Sequence, residues 1–251
     1  MENKKFNTKA IREGYHATEQ QEHSAAIFLT SSFTFESAEQ AANRFANEEE
    51  GNIYTRFTNP NVRAFEDKLA ALEEAESCIA TASGMSAIFA ALMGLLKAGD
   101  HIVASRDMFG TTIVLLNTIV NKFNIEVTFV DLPDIDSWRN SVQKNTKIFL
   151  LETPSNPLGD VVDLALLSAL SKEHNILLAV DNCIMTPALQ KPLNLGADLV
   201  IHSATKYIDG QGRCLAGAVA GRKEHIDEIR SFCRATGPTL SAFNAWVMLK
   251  G

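Results

Sequence analysis

From about residue 60 onward, short apolar runs alternate with stretches of helical period, whereas residues 1–59 show neither pattern clearly. Seven runs stand out, at 78–82, 101–105, 126–130, 148–152, 177–181, 199–202 and 215–220, most of them followed by a helix-period stretch or a turn. Runs that are apolar at consecutive positions suit strands covered on both faces. The pattern therefore predicts an α/β fold, with a mostly parallel seven-stranded sheet lying between helices and built by right-handed crossovers. The first regular helix is expected at Asn59-Pro60: Asn59 is an N-cap residue, Pro60 suits the first helical position, and Val62, Phe65, Leu69 and Leu72 fall on one face. Upstream lie Thr/Ser-rich stretches, the acidic run Glu48-Glu49-Glu50-Gly51 and a single short helix expected around 37–46. Residues 1–59 read as an arm and residues 60–251 as the globular domain.

Composition narrows the function classes. With 46% hydrophobic and 21% charged residues, the 251-residue chain folds around a core and is neither disordered nor fibrous. Its 23 Lys+Arg against 30 Asp+Glu give a net charge of −7 with the basic residues scattered, which argues against nucleic acid as a partner. No apolar run approaches the ~18 residues that cross a bilayer, and the first twenty residues lack the apolar stretch of a signal peptide, so a cytoplasmic protein is expected. Cys78, Cys183, Cys214 and Cys233 form no CxxC pair and are expected to be reduced and mostly buried. The six histidines show neither HxH nor HExxH spacing, so no metal site is expected.

In open α/β sheets ligands sit beyond the carboxyl ends of the strands, and those positions are polar here. Run 78–82 leads into Ser83-Gly84-Met85-Ser86 and an apolar helix, a turn in which backbone N–H groups and the helix dipole favour a phosphate. Neither GxGxxG nor GxxxxGK[ST] is present, which excludes the dinucleotide and P-loop readings. Run 148–152 leads into Thr153-Pro154-Ser155-Asn156-Pro157, a proline-braced loop holding the Asn156 amide at the sheet edge. Run 177–181 ends on Asp181, placed to pair with a cation. Run 199–202 leads into Ser203-Ala204-Thr205-Lys206-Tyr207, where two hydroxyls flank an amine suited to condense with a phosphorylated aldehyde. Each has a plainer use, Gly84 in a tight turn, Asp181 as an N-cap and Lys206 as a surface lysine. Together they supply what pyridoxal 5′-phosphate requires: an amine for its aldehyde, an acid for its ring nitrogen, donors for its phosphate and a flat group against its ring.

On these segments, with Tyr54-Thr55-Arg56 and Asn59-Pro60, the chain resembles the Cys/Met-metabolism (trans-sulfuration) family of fold-type I pyridoxal-phosphate enzymes. The resemblance runs through the whole chain. It implies that Lys206 carries the cofactor and moves protons, and that Asp181 pairs with the pyridinium nitrogen. It also implies that the amides of Gly84 and Met85 and the hydroxyls of Ser203 and Thr205 hold the phosphate, and that Asn156 lies near the ring hydroxyl. Tyr54 and Arg56 would complete the neighbouring subunit's site, so a homo-oligomer, a dimer of dimers, is implied.

Many members stack a tyrosine on the ring, whereas the matching segment here carries Phe109, which stacks but transfers no proton. With Asp209-Gly210-Gln211-Gly212, this is most similar to members that eliminate succinate from the γ carbon of O-succinylhomoserine, an O-acylhomoserine, and add sulfide, giving homocysteine for methionine synthesis. Members that take cysteine as nucleophile, and lyases, are the alternatives, as is an inactive truncated fragment that acts, if at all, by associating with intact subunits. Family members continue into a smaller C-terminal domain that supplies an arginine for the substrate carboxylate, so the chain reads as truncated and is expected to bind cofactor poorly or to turn over slowly. Trp246, Val247 and Leu249 are then expected to leave uncovered apolar surface.

Overall fold

The computed structural model describes residues 4–251. Seven strands form one sheet: β1 (Ser77–Thr81), β2 (His101–Ser105), β3 (Glu126–Val130), β4 (Thr146–Glu152), β5 (Leu177–Asp181), β6 (Leu199–His202) and β7 (Gly217–Gly221). Their spatial order is β1-β7-β6-β5-β4-β2-β3, with β7 antiparallel to both its neighbours and the remaining pairs parallel. The fold class and the mostly parallel sheet thus stand as the apolar runs predict. Strand limits shift at three places: β1 lies one residue earlier than its run, at Ser77–Thr81, Leu215 is exposed and lies outside β7, and β4 begins two residues early at Thr146.

Ten α-helices surround this sheet: α1 (Phe6–Arg12), α2 (Ala38–Phe45), α3 (Pro60–Glu73), α4 (Gly84–Leu95), α5 (Gly110–Val114), α6 (Ile135–Asn140), α7 (Leu164–Glu173), α8 (Thr186–Leu189), α9 (Lys223–Thr236) and α10 (Ala242–Met248). Alternate strand residues serve opposite faces. Ile102, Ile148, Ala179, Ile201 and Val219 pack with α4 and α9, through Leu92, Ile226 and Ile229. On the other face Phe149, Leu178 and Val180 meet Trp138, Leu164 and Leu167 of α6 and α7, while Cys78, Ala218 and Ala220 meet Phe65 and Leu69 of α3 and Met248 of α10. Burial on both faces is the reason the strands read as continuous apolar runs.

Helix α3 starts as Asn59 and Pro60 predict: the Asn59 side chain accepts from the Asn61 amide at 2.9 Å and Pro60 opens the first turn. The same two asparagines tie the preceding segment down, since Asn59 Nδ2 donates to the Phe28 carbonyl and Asn61 Oδ1 accepts the Phe28 N–H at 2.8 Å. The short helix expected near 37–46 is α2, capped by Ser37. Helix α1 is an addition to the sequence reading; it buries none of its side chains, so no apolar period announces it. The expectation of uncovered apolar surface at the chain's last residues is wrong for these positions. Helix α10 packs on α3, Val247 and Leu249 are buried, and the Trp246 indole donates to the Ala25 carbonyl at 2.7 Å.

One contact fixes α4 against the sheet. A Cβ on Gly217 would lie 2.0 Å from the Ser83 carbonyl oxygen and 2.7 Å from Thr81 Oγ1, so only glycine lets the strand pass under the helix's first turn. Replacing Gly217 by Ala is expected to destabilise the protein by about 2–4 kcal/mol through overpacking and displacement of that turn, read as a lowered denaturation midpoint with an unchanged slope.

Candidate active site

The carboxyl ends of β4, β5 and β6 and the N-terminus of α4 converge on a cavity of about 110 Å³. Seven of the ten residues nominated from the sequence line it: Gly84, Met85, Phe109, Asn156, Asp181, Ser203 and Lys206. Three do not. Tyr54 and Arg56 lie outside it; the Arg56 guanidinium bonds the Arg234 carbonyl, sits 4.4 Å from the Phe57 ring centroid, and opens onto a separate groove with Arg230 and Arg234. Thr205 spends its hydroxyl on Ala216, donating to the carbonyl at 3.1 Å and accepting the N–H at 3.0 Å.

Each wall has a local cause. Ser83 caps α4 in a reciprocal box with Ser86, Ser83 Oγ accepting the Ser86 amide and Ser86 Oγ accepting the Ser83 amide. The amides of Gly84 and Met85 sit at the first two helical positions, where no intrahelical partner exists, and the helix dipole makes this end positive. Gly84 is required here because a Cβ would lie 2.6 Å from Ser203 Cβ. Ser155 braces the loop bearing Asn156, its amide donating to the Asp160 carbonyl at 2.8 Å and its hydroxyl accepting the Asp160 amide at 3.0 Å. The Lys206 turn is closed by its amide on the Ser203 carbonyl, and Lys206 Nζ makes no hydrogen bond or ion pair among the described residues.

Four further residues line the site, Ile88, Thr112, Glu152 and Cys183, and the last two bring ionisable groups. Register pairs Glu152 with Asp181 on adjacent parallel strands, which brings two buried carboxyls together. Burial pushes Asp181 up to about 6, with the Cys183 amide, 3.0 Å from Oδ1, and then nearby His202 holding it down. Burial and then the charge of Asp181 push Glu152 up to about 7, opposed by the Phe109 N–H that Glu152 Oε2 accepts at 2.8 Å. The Cys183 thiol is pushed up to about 12 by burial and by both carboxylates, which leaves it an inert wall. The signal for Glu152 was present in the sequence: runs 148–152 and 177–181 both end on an acid, and parallel neighbours of equal length place those acids side by side.

A positive helix end, an amine without a partner, an aromatic wall and a buried acid surround one small cavity. The family model for Cys/Met metabolism PLP-dependent enzymes matches residues 7–251. The chain belongs to that family. Among curated relatives it is 53% identical over 251 residues to O-succinylhomoserine sulfhydrylase of Pseudomonas aeruginosa, covering 100% of this chain and 62% of that protein. It is also 44% identical over 250 residues to L-methionine gamma-lyase of Treponema denticola, covering 98% of this chain and 62% of that protein. A crystal structure described as O-acetylhomoserine (thiol)-lyase of Campylobacter jejuni, which carries an N′-pyridoxyl-lysine-5′-monophosphate, superposes with TM-score 0.94 at 31% identity, over 99% of this chain and 70% of that one. The chain spans about 62% of the length of the two curated relatives.

The family's cofactor is pyridoxal phosphate, and the cavity's donor set matches it: unpaired helix-terminal amides suit a phosphate, a buried acid suits a protonated ring nitrogen, and a free amine suits an aldehyde.

The carboxyl pair sets a pH dependence for the cofactor-free protein. Both groups are raised above their ordinary values of 3.8 and 4.5, so their contribution to stability is full at low pH and is lost as pH rises through about 6 to 7. Glu152→Gln is therefore expected to match the parent at or below pH 4 and to exceed it at pH 8 by on the order of 1–3 kcal/mol, measured by urea denaturation at the two pH values.

Proposed function

We propose that the chain forms the cofactor-bearing part of an O-succinylhomoserine sulfhydrylase, which breaks the Cγ–O bond of its substrate, releases succinate and forms a Cγ–S bond to sulfide to give homocysteine. The observation that carries this reading is Phe109 at the aromatic wall, in a chain 53% identical along its whole length to a protein of that activity. An aromatic without a hydroxyl leaves Lys206 as the proton-transferring group at that face.

When bound, pyridoxal phosphate draws electrons from the α carbon, and through it the β carbon, of an amino acid attached at its aldehyde carbon. The protein supplies the rest. The amides of Gly84 and Met85, with the Ser203 hydroxyl, hold the phosphate at the positive end of α4. Asp181 holds a proton at the ring nitrogen, and the neighbouring carboxyl of Glu152 keeps that corner of the cavity attractive to a cation. Phe109 and Asn156 both line the cavity, where Phe109 would stack on the cofactor's ring and Asn156 would lie near its hydroxyl. Lys206 Nζ takes and returns the protons at the α and β carbons, the transfers that free the γ substituent and accept the incoming sulfur. Thr205, bound to Ala216, holds the turn that presents Lys206. Tyr54 and Arg56, outside this chain's own cavity, serve the phosphate of a neighbouring subunit.

L-methionine gamma-lyases at 44% identity favour elimination as the second reading, because they share the scaffold almost as fully. The test has two stages. Adding pyridoxal phosphate to the purified protein is expected to produce a visible absorption band that Lys206→Ala lacks; a band in both would remove Lys206 from its role. Incubation with O-succinylhomoserine and sulfide is expected to give homocysteine, whereas α-ketobutyrate and a thiol formed from methionine alone would assign the lyase reaction instead.

A further inference from the structure

Behind the cavity, on the α3 side of the sheet, lies a polar cluster that the functional reading leaves unused. Glu73, His202 and Asn182 are all fully buried. Glu73, the last residue of α3, accepts with one oxygen from the end of β6 and from the residue that follows β5: His202 Nε2 at 2.6 Å and Asn182 Nδ2 at 3.2 Å. Asn182 Nδ2 also donates to the Gln190 carbonyl at 2.9 Å, and Gln190 Nε2 donates to Asn182 Oδ1 at 3.0 Å and to the Thr153 carbonyl at 3.1 Å. The three anchored residues each stand next to the site in sequence. Thr153 begins the loop to Asn156, Asn182 follows Asp181, and His202 precedes Ser203 and Lys206.

The cluster is not built for stability alone. Glu73 Oε2 and His202 Nδ1 are buried without a hydrogen-bond partner among the described residues, a cost that apolar residues of similar volume would avoid. A buried polar network kept at that cost, with one acceptor joining the ends of β5 and β6 directly and that of β4 through Gln190, is suited to fixing loop geometry.

We infer that Glu73 is a positioning residue for the cofactor cavity, its carboxylate holding the strand-end loops of Asn156, Asp181 and Lys206 in the relative placement that pyridoxal phosphate requires. This rests on the cofactor-binding reading above and touches neither substrate nor cofactor directly. A carboxylate at the end of α3 acts here as outer shell to three loops, as second-shell groups do for metal ligands.

The experiment compares pyridoxal phosphate dissociation constants, from absorbance titration, with melting temperatures of the cofactor-free protein. Four variants are used beside the parent. Glu73→Ala is expected to weaken binding about tenfold or more. Glu73→Gln retains an acceptor oxygen at the same place and is expected to bind within about threefold of the parent. His101→Asn disrupts a different buried network, the bonds to Thr146 and Thr128 at the opposite end of the sheet, and is expected to lower the melting temperature while binding like the parent. Gln190→Ala removes the side-chain bonds to Thr153 and to Asn182 Oδ1 while leaving the bonds of Glu73 in place, and is expected to weaken binding measurably, which keeps the inference open to refutation if Glu73→Ala does not fold. Parent-like binding by Glu73→Ala, or by Gln190→Ala where Glu73→Ala yields no folded protein, would overturn the inference alone. Equal weakening by His101→Asn at equal thermal loss would overturn it too, since affinity would then follow stability. Failure of the parent itself to bind would remove the functional reading and the inference together.

Discussion

The site depends on how closely a helix can be brought to the ends of a parallel sheet. Two glycines make that approach possible. Gly217 lets β7 run beneath the Ser83 carbonyl, and Gly84 lets the first turn of α4 rest against Ser203. Both contacts are tighter than any side chain tolerates, so the partnerless amides of α4 and the turn bearing Lys206 are held together by backbone packing rather than by side-chain attraction. The electrostatics follow from this placement: the positive end of the helix dipole and the free amine share one small space, and an anion bridging them needs no further rearrangement.

The opposite wall of the cavity has the opposite sign. Parallel register carries Glu152 and Asp181 to the same level, and burial raises both carboxyls toward neutrality. Two like groups in one dry corner disfavour each other's charge, and a cation placed between them relieves burial and repulsion at once. The cavity is thus polarised along its length, receptive to an anion at α4 and to a cation at β4 and β5. A flat heteroaromatic phosphate carries those two charges at its two ends and so matches both walls.

Much of this was legible in the sequence because the sheet's rules are local. Consecutive apolar positions mark strands covered on both sides, and the residue after each strand falls at the ligand edge; Gly84, Asn156, Asp181, Ser203 and Lys206 follow from those two statements. What was not legible depends on pairing or on groups used up elsewhere. Glu152 acquires its character from Asp181 on another strand, and Thr205 loses its hydroxyl to Ala216, eleven residues away. Helix α1 has no buried face, and α10 finds its cover on α3 through contacts almost two hundred residues apart in sequence. Periodicity carries no information about such partners.

The aromatic wall shows how one scaffold can serve different reactions. Phe109 is located by its main chain: its N–H donates to Glu152 at 2.8 Å, and the loop then turns directly into α5. Nothing in that anchoring involves the ring's para position, so a hydroxyl there could be gained or lost without moving the ring, the loop or the carboxyl that holds them. The geometry that binds is separated from the group that transfers a proton. Relatives at 53% and 44% identity carry the names of a sulfhydrylase and a lyase, and a main-chain anchor of this kind leaves the ring's substituent free to differ while the frame stays as it is.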